Sequence, residues 1–239
     1  GDGRMDEKDR LTMRHENLHD FIAVLEARQE LIRIKAPVRT YLEITEITDR
    51  VAKLRGGGKA LLFEKVDRSS FPILTNAFGN KKRIALALGT DNLEDIGARL
   101  SKILEPELPQ TLGDKFRFLK QAIVLSRCLP RVVKKARPAC QEVILRGDQV
   151  DLGKLPILHF WPGDGGPYIT LPLVFTRNPM TKKRNVGMYR LQVFDKNTTG
   201  IHWHIHKDGA HIFRDYEKKG TRMEVAVAIG TDPAVTYAA

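Results

Sequence analysis

Two segments late in the chain, NVGMYR (Asn185 to Arg190) and HWHIHKDGAH (His202 to His211), constrain it more than any other feature. They bring an amide, a guanidinium and four of the seven histidines onto what reads as one hairpin. An Asn oxygen is a hard ligand for a divalent cation and a His nitrogen a borderline one, while Arg presents a fixed fork to a phosphate or carboxylate. The combination points to a metal beside an anionic ligand.

Read as a strand, NVGMYRLQVFD alternates. Val186, Met188, Arg190 and Gln192 share one face, and Asn185, Gly187, Tyr189, Leu191 and Val193 the other. Asn185 and Arg190 therefore serve one site only if the backbone kinks between them, and Gly187 is the position where a kink or the close approach of a ligand is easiest. In the second strand His202, His204 and His206 share a face if it stays regular, with Trp203 and Ile205 opposite. Three such imidazoles would form a metal site unaided; the same pattern equally describes the exposed polar face of an amphipathic strand.

A chain of 239 residues is long enough to bury a core and to divide in two. Its two cysteines, Cys128 and Cys140, lack metal or redox spacing and form no disulfide framework, so a reduced cytoplasmic compartment is expected. No apolar run approaches the ~18 residues of a membrane span, and GDGRMDEKDR has no apolar targeting core. The net charge of +11 admits a nucleic-acid partner. Much of that excess lies in KFRFLKQAIVLSRCLPRVVKKARP (Lys115 to Pro138), where prolines bracket the run and no nucleic-acid motif follows. A solvated or oligomer-facing connector is the preferred reading, with a basic nucleic-acid-binding module as its alternative.

Periodicity divides the rest. NLHDFIAVLEARQE reads as an amphipathic helix with Leu18, Phe21, Ile22 and Leu25 on its apolar stripe. A strand (Leu31 to Ile34), a helix (Leu42 to Leu54) and two strands (Ala60 to Glu64, Ile73 to Thr75) follow, with Gly56 to Gly58 as a break. KKRIALALG and LEDIGARLSKIL are two further helices. After about Pro138 the pattern turns to strands, including LPLVFTRN and EVAVAIG, with one helix, AHIFRDYEKKG, closed by Gly220. The expected organisation is an N-terminal α+β domain over residues 1–115, a basic helical connector over 116–137 and a β-rich domain over 138–239. In FWPGDGGPYIT, Gly163, Gly165 and Gly166 precede a strand; such a loop brings backbone N–H groups to a phosphate, or is an ordinary tight turn.

Seven segments in order, LEITEITDR, ALLFE, FGNKKRIALALG, FWPGDGGPYIT, NVGMYRLQV, HWHIHKDGA and VAVAIGTDPA, resemble the UbiD family of decarboxylases. The resemblance runs through nearly everything after residue 17. It implies an α+β chain whose second domain is a split β-barrel holding flavin, and reversible non-oxidative decarboxylation of an aromatic or α,β-unsaturated acid. The implied cofactors are prenylated FMN and Mn²⁺ or Mg²⁺, with K⁺ as a further ion. A flavin prenyltransferase as cofactor supplier and a homo-oligomeric state come with it. A non-catalytic flavin-binding relative is the alternative within the same resemblance.

The same likeness implies roles residue by residue. Asn185 and His206 match two metal ligands, and the metal in turn grips the cofactor phosphate. Thr170 lies near the flavin ring edge. Met188, Tyr189, Arg190, His202, Trp203, His204, His206, Lys207 and Asp208 match the flavin-contacting stretches, and Arg190 also the arginine that holds the substrate carboxylate between two glutamates. Those glutamates, and the one completing the metal site, lie in family segments beyond TDPAVTYAA. The expectation is therefore a truncated chain that lacks the family's C-terminal domain, folded and inactive by itself.

Overall fold

The computed structural model describes residues 17–104 and 138–239, with His15, Ile123, Ser126 and Val132 besides. The proposed connector thus lies almost wholly outside the described residues. Of the described residues, those up to 93 and from 150 onward pack as one unit and those within 94–149 as another. The second unit carries most of the helix Leu93–Leu104 and two short 3-10 turns, Ala139–Gln141 and Gly147–Gln149.

The first unit opens with α1 (Leu18–Ala27), whose start is set by Asn17: its side chain accepts the Asp20 N–H. Strand β1 (Leu31–Val38) is followed by α2 (Glu43–Ala52) and β2 (Ala60–Val66). β1 and β2 are parallel, so α2 is the crossover helix, and β3 (Ile73–Thr75) adds antiparallel to β2. As the central strand β2 is covered on both faces, which is why its sequence begins as an unbroken apolar run. Ala60 packs with Phe21 and Leu25 of α1 and with Leu86 and Ala87 of α3 (Lys81–Ala87), whereas Leu61 and Phe63 pack on the other face with Ile44 of α2 and with Leu158.

Arg83 of α3 is fully buried and binds this half together. It donates to the carbonyls of Gly58 (2.6 Å), Asn76 (3.1 Å) and Gly57 (3.3 Å) and to Glu30 Oε2 (3.2 Å). Gly58 needs to be glycine: its φ is +57°, and a Cβ would sit 2.2 Å from the Val51 carbonyl oxygen.

The chain from 150 onward is tied to this half through His159, whose N–H donates to Thr40 O (3.1 Å) while its carbonyl accepts from Leu42 N–H (3.1 Å). Two small sheets follow. The first orders β4 (Tyr168–Ile169), β7 (Leu191–Val193) and β8 (Thr199–Ile201); the second orders β6 (Arg184–Met188), β5 (Leu173–Arg177) and β9 (Ala226–Ala228). Ile169 and Leu191 from the first, Val174 from the second and Tyr189 between them form one core. Helix α4 (Asp208–Lys219) packs on β5 and β6, and α5 (Pro233–Ala238), capped by Asp232, packs on α3. This last helix was not anticipated in TDPAVTYAA; Asp before Pro is its start signal.

Candidate functional site

The NVGMYR motif spans a change of sheet. β6 runs through Met188 beside β5, Tyr189 and Arg190 leave the ladder, and Leu191 begins β7 beside β4 and β8. The break therefore falls two residues after Gly187, not at it. Gly187 stays paired with Val174, and its missing side chain serves the ring of Tyr189, since a Cβ there would lie 2.7 Å from Tyr189 Cε2.

Asn185 lies directly opposite Thr176 in the ladder, so the two side chains share a face, the face that carries core residue Val174. Asn185 is half-buried and its amide makes no hydrogen bond within the described residues. Thr176 is buried, and its hydroxyl has no hydrogen-bond partner among the described residues. An unmet buried hydroxyl costs about 1–3 kcal/mol. A free amide across from an orphaned hydroxyl fits a polar ligand held at this point of the sheet. Met188 pairs with Leu173 and is half-buried, while Thr170 is exposed between β4 and β5.

Tyr189 is buried and anchors the start of α4: its hydroxyl accepts the Gly209 N–H at 3.0 Å. Its ring meets Trp203 edge-on at 4.7 Å, and Trp203 stacks on Phe213 at 6.4 Å. Gly209 permits this closeness, because a Cβ would come within 2.5 Å of the Trp203 ring and 2.7 Å of the Tyr189 hydroxyl oxygen.

The histidine segment is not a strand. β8 ends at Ile201, the His202 N–H reaches Arg190 O at 3.3 Å, and the Lys207 N–H donates to His204 O at 2.9 Å, closing a turn into α4. Packing of Trp203 under Tyr189 takes the chain out of the ladder and into that turn. Thus His202, His204, His206, Lys207 and Asp208 are all exposed, with the rings of His204 and His206 5.6 Å apart. Among the described residues no group of three or more His, Cys, Asp or Glu side chains is placed to hold a metal, so the three-histidine site is not formed. Asn185 and His206 have side chains without hydrogen-bonded partners among the described residues, and their oxygen and nitrogen suit a divalent cation whose other ligands come from elsewhere.

Arg190 sits beyond the sheet change. Its Nη2 donates to Asp164 Oδ2 at 3.2 Å, and its guanidinium carbon lies 3.9 Å from the centre of the Tyr168 ring and 5.2 Å from that of Phe160. None of these three partners stood out in the sequence. The register that brings Tyr168 beside Gln192 depends on strands more than twenty residues apart, and only an acidic residue inside the glycine-rich loop was there to be noticed.

The family model of the 3-octaprenyl-4-hydroxybenzoate carboxy-lyase Rift-related domain matches residues 131–239, and that of the N-terminal domain of the same enzyme matches residues 22–100. An uncharacterized protein of Aquifex aeolicus is 50% identical over 226 residues, covering 95% of this chain and 46% of its own length. The structure of Sedimentibacter hydroxybenzoicus vanillic acid decarboxylase in closed form superposes with a TM-score of 0.75 at 28% identity, over 94% of this chain and 44% of that one. An evolved dimeric form of the UbiD-class enzyme HmfF from Pelotomaculum thermopropionicum, in complex with prFMN, superposes with a TM-score of 0.69 at 28% identity, over 92% and 46%. The chain spans less than half the length of each of these relatives. No helix among the described residues is long and apolar enough to cross a membrane.

Proposed function

Because the chain belongs to the UbiD carboxy-lyase family, we propose that it carries the flavin-holding part of a prenylated-FMN-dependent decarboxylase of aromatic or α,β-unsaturated acids. In this reading the two small sheets are the split barrel of the family. The reaction is proposed for a protein of the relatives' length, since the chain spans less than half of theirs. A homo-oligomer and a flavin prenyltransferase as supplier belong to the same proposal.

The observation that carries it is the Asn185–Arg190 run. Before its change of sheet it carries an amide with no hydrogen bond among the described residues, and after it an arginine over aromatic rings. Asn185 and His206 would hold Mn²⁺ or Mg²⁺, with K⁺ as a further ion, and the divalent ion would hold the cofactor phosphate. Met188, Tyr189, Trp203 and Thr170 would border the flavin, with His202, His204, Lys207 and Asp208 along its polar side. Arg190 orients the substrate carboxylate by a two-point grip, which its planar fork provides and a lysine does not. The rings of Tyr168 and Phe160 lie against that guanidinium and would help to hold it in place. When bound, prenylated FMN supplies the electron-poor centre that takes up charge as CO₂ departs.

Calorimetry with Mn²⁺ and flavin phosphate tests the reading. Joint binding is expected to be far tighter than Mn²⁺ alone and to weaken at least tenfold in Asn185→Ala, about 1.4 kcal/mol. Mn²⁺ binding that ignores both the flavin and Asn185 would overturn it.

A further inference from the structure

The ion pair between Arg190 and Asp164 is more than a surface contact. Asp164 belongs to the glycine-rich loop before β4, and its side chain is only 18% exposed while that of Arg190 is 42% exposed. The loop is held in place by Gln192 of β7: its Nε2 donates to Gly165 O at 2.9 Å, and its Oε1 accepts from the Tyr168 hydroxyl at 3.1 Å. Gly165 fits because a Cβ would lie 2.9 Å from that same Nε2. One glutamine thus fixes both the ring beneath the guanidinium and the loop that brings a carboxylate to its edge.

We propose that Asp164 is an internal carboxylate that occupies Arg190 and competes with the carboxylate of a bound ligand for it. The proposal rests on the reading of Arg190 as the carboxylate-holding residue and deepens it. A guanidinium has five N–H donors, and here only Nη2 has an acceptor within the described residues. The Arg190 side chain is partly exposed, so that a ligand can reach it. A ligand carboxylate that takes a two-point grip must share Nη2 with Asp164 or displace it, and in either case two like charges are brought close together. Asp164 thereby keeps Arg190 oriented when no ligand is present and weakens its hold on a carboxylate.

Benzoate is a suitable probe, with the neutral benzyl alcohol as control, titrated by calorimetry into the 239-residue protein and three variants. Asp164→Asn is expected to bind benzoate roughly fivefold more tightly, the upper range for one half-exposed ion pair. Asp164→Glu, which keeps the charge, is expected to stay within about twofold of wild type, and Arg190→Ala to lose benzoate binding. Benzyl alcohol should not distinguish Asp164→Asn from wild type. A misfolded variant would bind more weakly, so damage cannot imitate the expected gain. Benzoate binding that needs Arg190 but is unchanged or weaker in Asp164→Asn overturns the role of Asp164 and leaves that of Arg190 standing. Absence of any Arg190-dependent benzoate binding in all four proteins overturns both.

Discussion

Replacing Gly209 by alanine sets two effects of opposite sign against each other. Gly209 is the second residue of α4 and buried. In a helix, glycine to alanine ordinarily gains about 1 kcal/mol. Here the new Cβ would stand 2.5 and 2.8 Å from two atoms of the Trp203 ring and 2.7 Å from the Tyr189 hydroxyl oxygen. Both rings belong to packed groups, one in the core with Val174 and Leu191, the other against Phe213, so neither moves aside cheaply. Overpacking costs about 1–3 kcal/mol. Displacing the Tyr189 hydroxyl also loses its hydrogen bond from the Gly209 N–H, worth about 1 kcal/mol. The net expectation is a loss of roughly 2 kcal/mol, a fall in melting temperature of about 4–8 °C for a chain of this size. Urea unfolding followed by circular dichroism and by the fluorescence of the two tryptophans measures it. Trp203→Leu should relieve part of the strain, so the double variant should lose less than the sum of the singles. A Gly209→Ala protein as stable as wild type would show that the close approach of helix and aromatic pair is not what holds α4 in place.

Other expectations follow from the first half of the chain and from the motif. Arg83→Met should lose about 2–3 kcal/mol, because it takes the 2.6 Å donor from the Gly58 carbonyl, one of two donors from each of the carbonyls of Gly57 and Asn76, and one of the two cations paired with Glu30; a loss under about 1 kcal/mol in urea unfolding would contradict the role of this network. Burial alone would raise the carboxyl of Glu30, but Lys82 and Arg83 outweigh it and hold the group below its ordinary value. A depressed folded value means that its stabilisation is complete above the unfolded value of about 4.3 and is lost as pH falls through the folded one. The urea midpoint should therefore drop below roughly pH 4, and Glu30→Gln should flatten that drop. Thr176→Val removes an orphaned hydroxyl and should raise stability by about 1 kcal/mol in thermal unfolding; a clear loss would mean that the hydroxyl has a structural partner.

The elements before residue 104 were legible from local signals, a helical period or a short apolar run between breaks. The stripe of Leu18, Phe21 and Leu25 faces the core as a helical period requires, and β3 has the bounds that its apolar run suggests. The hairpin was legible only in part. Asn185 and Gly187 do share a face, yet the kink expected at Gly187 falls at Tyr189 and Arg190, and the three histidines lie past the end of β8 rather than on a strand. Alternation states which residues would face together if a strand continued, and says nothing about where tertiary packing ends it. Here the end is decided by Trp203, which packs under Tyr189 and against Phe213, contacts between residues 10 to 14 positions apart that no window of local period contains.

The same contacts explain why one six-residue run carries so much of the candidate site. A strand that stayed in one sheet would place Asn185 and Arg190 on opposite faces permanently. Leaving one ladder at Met188 and entering another at Leu191 frees the two residues between from strand alternation. Tyr189 turns inward and fixes the start of α4, and hence the turn that carries His204 and His206; Arg190 turns outward onto Tyr168. The turn with His204 and His206 and the guanidinium of Arg190 are thus placed by the two residues that break the strand, while Asn185 is placed by its pairing with Thr176. Small changes at Tyr189 or Gly209 should therefore disturb metal and carboxylate binding together, whereas changes at Asp164 or Thr176 should each disturb one of them alone.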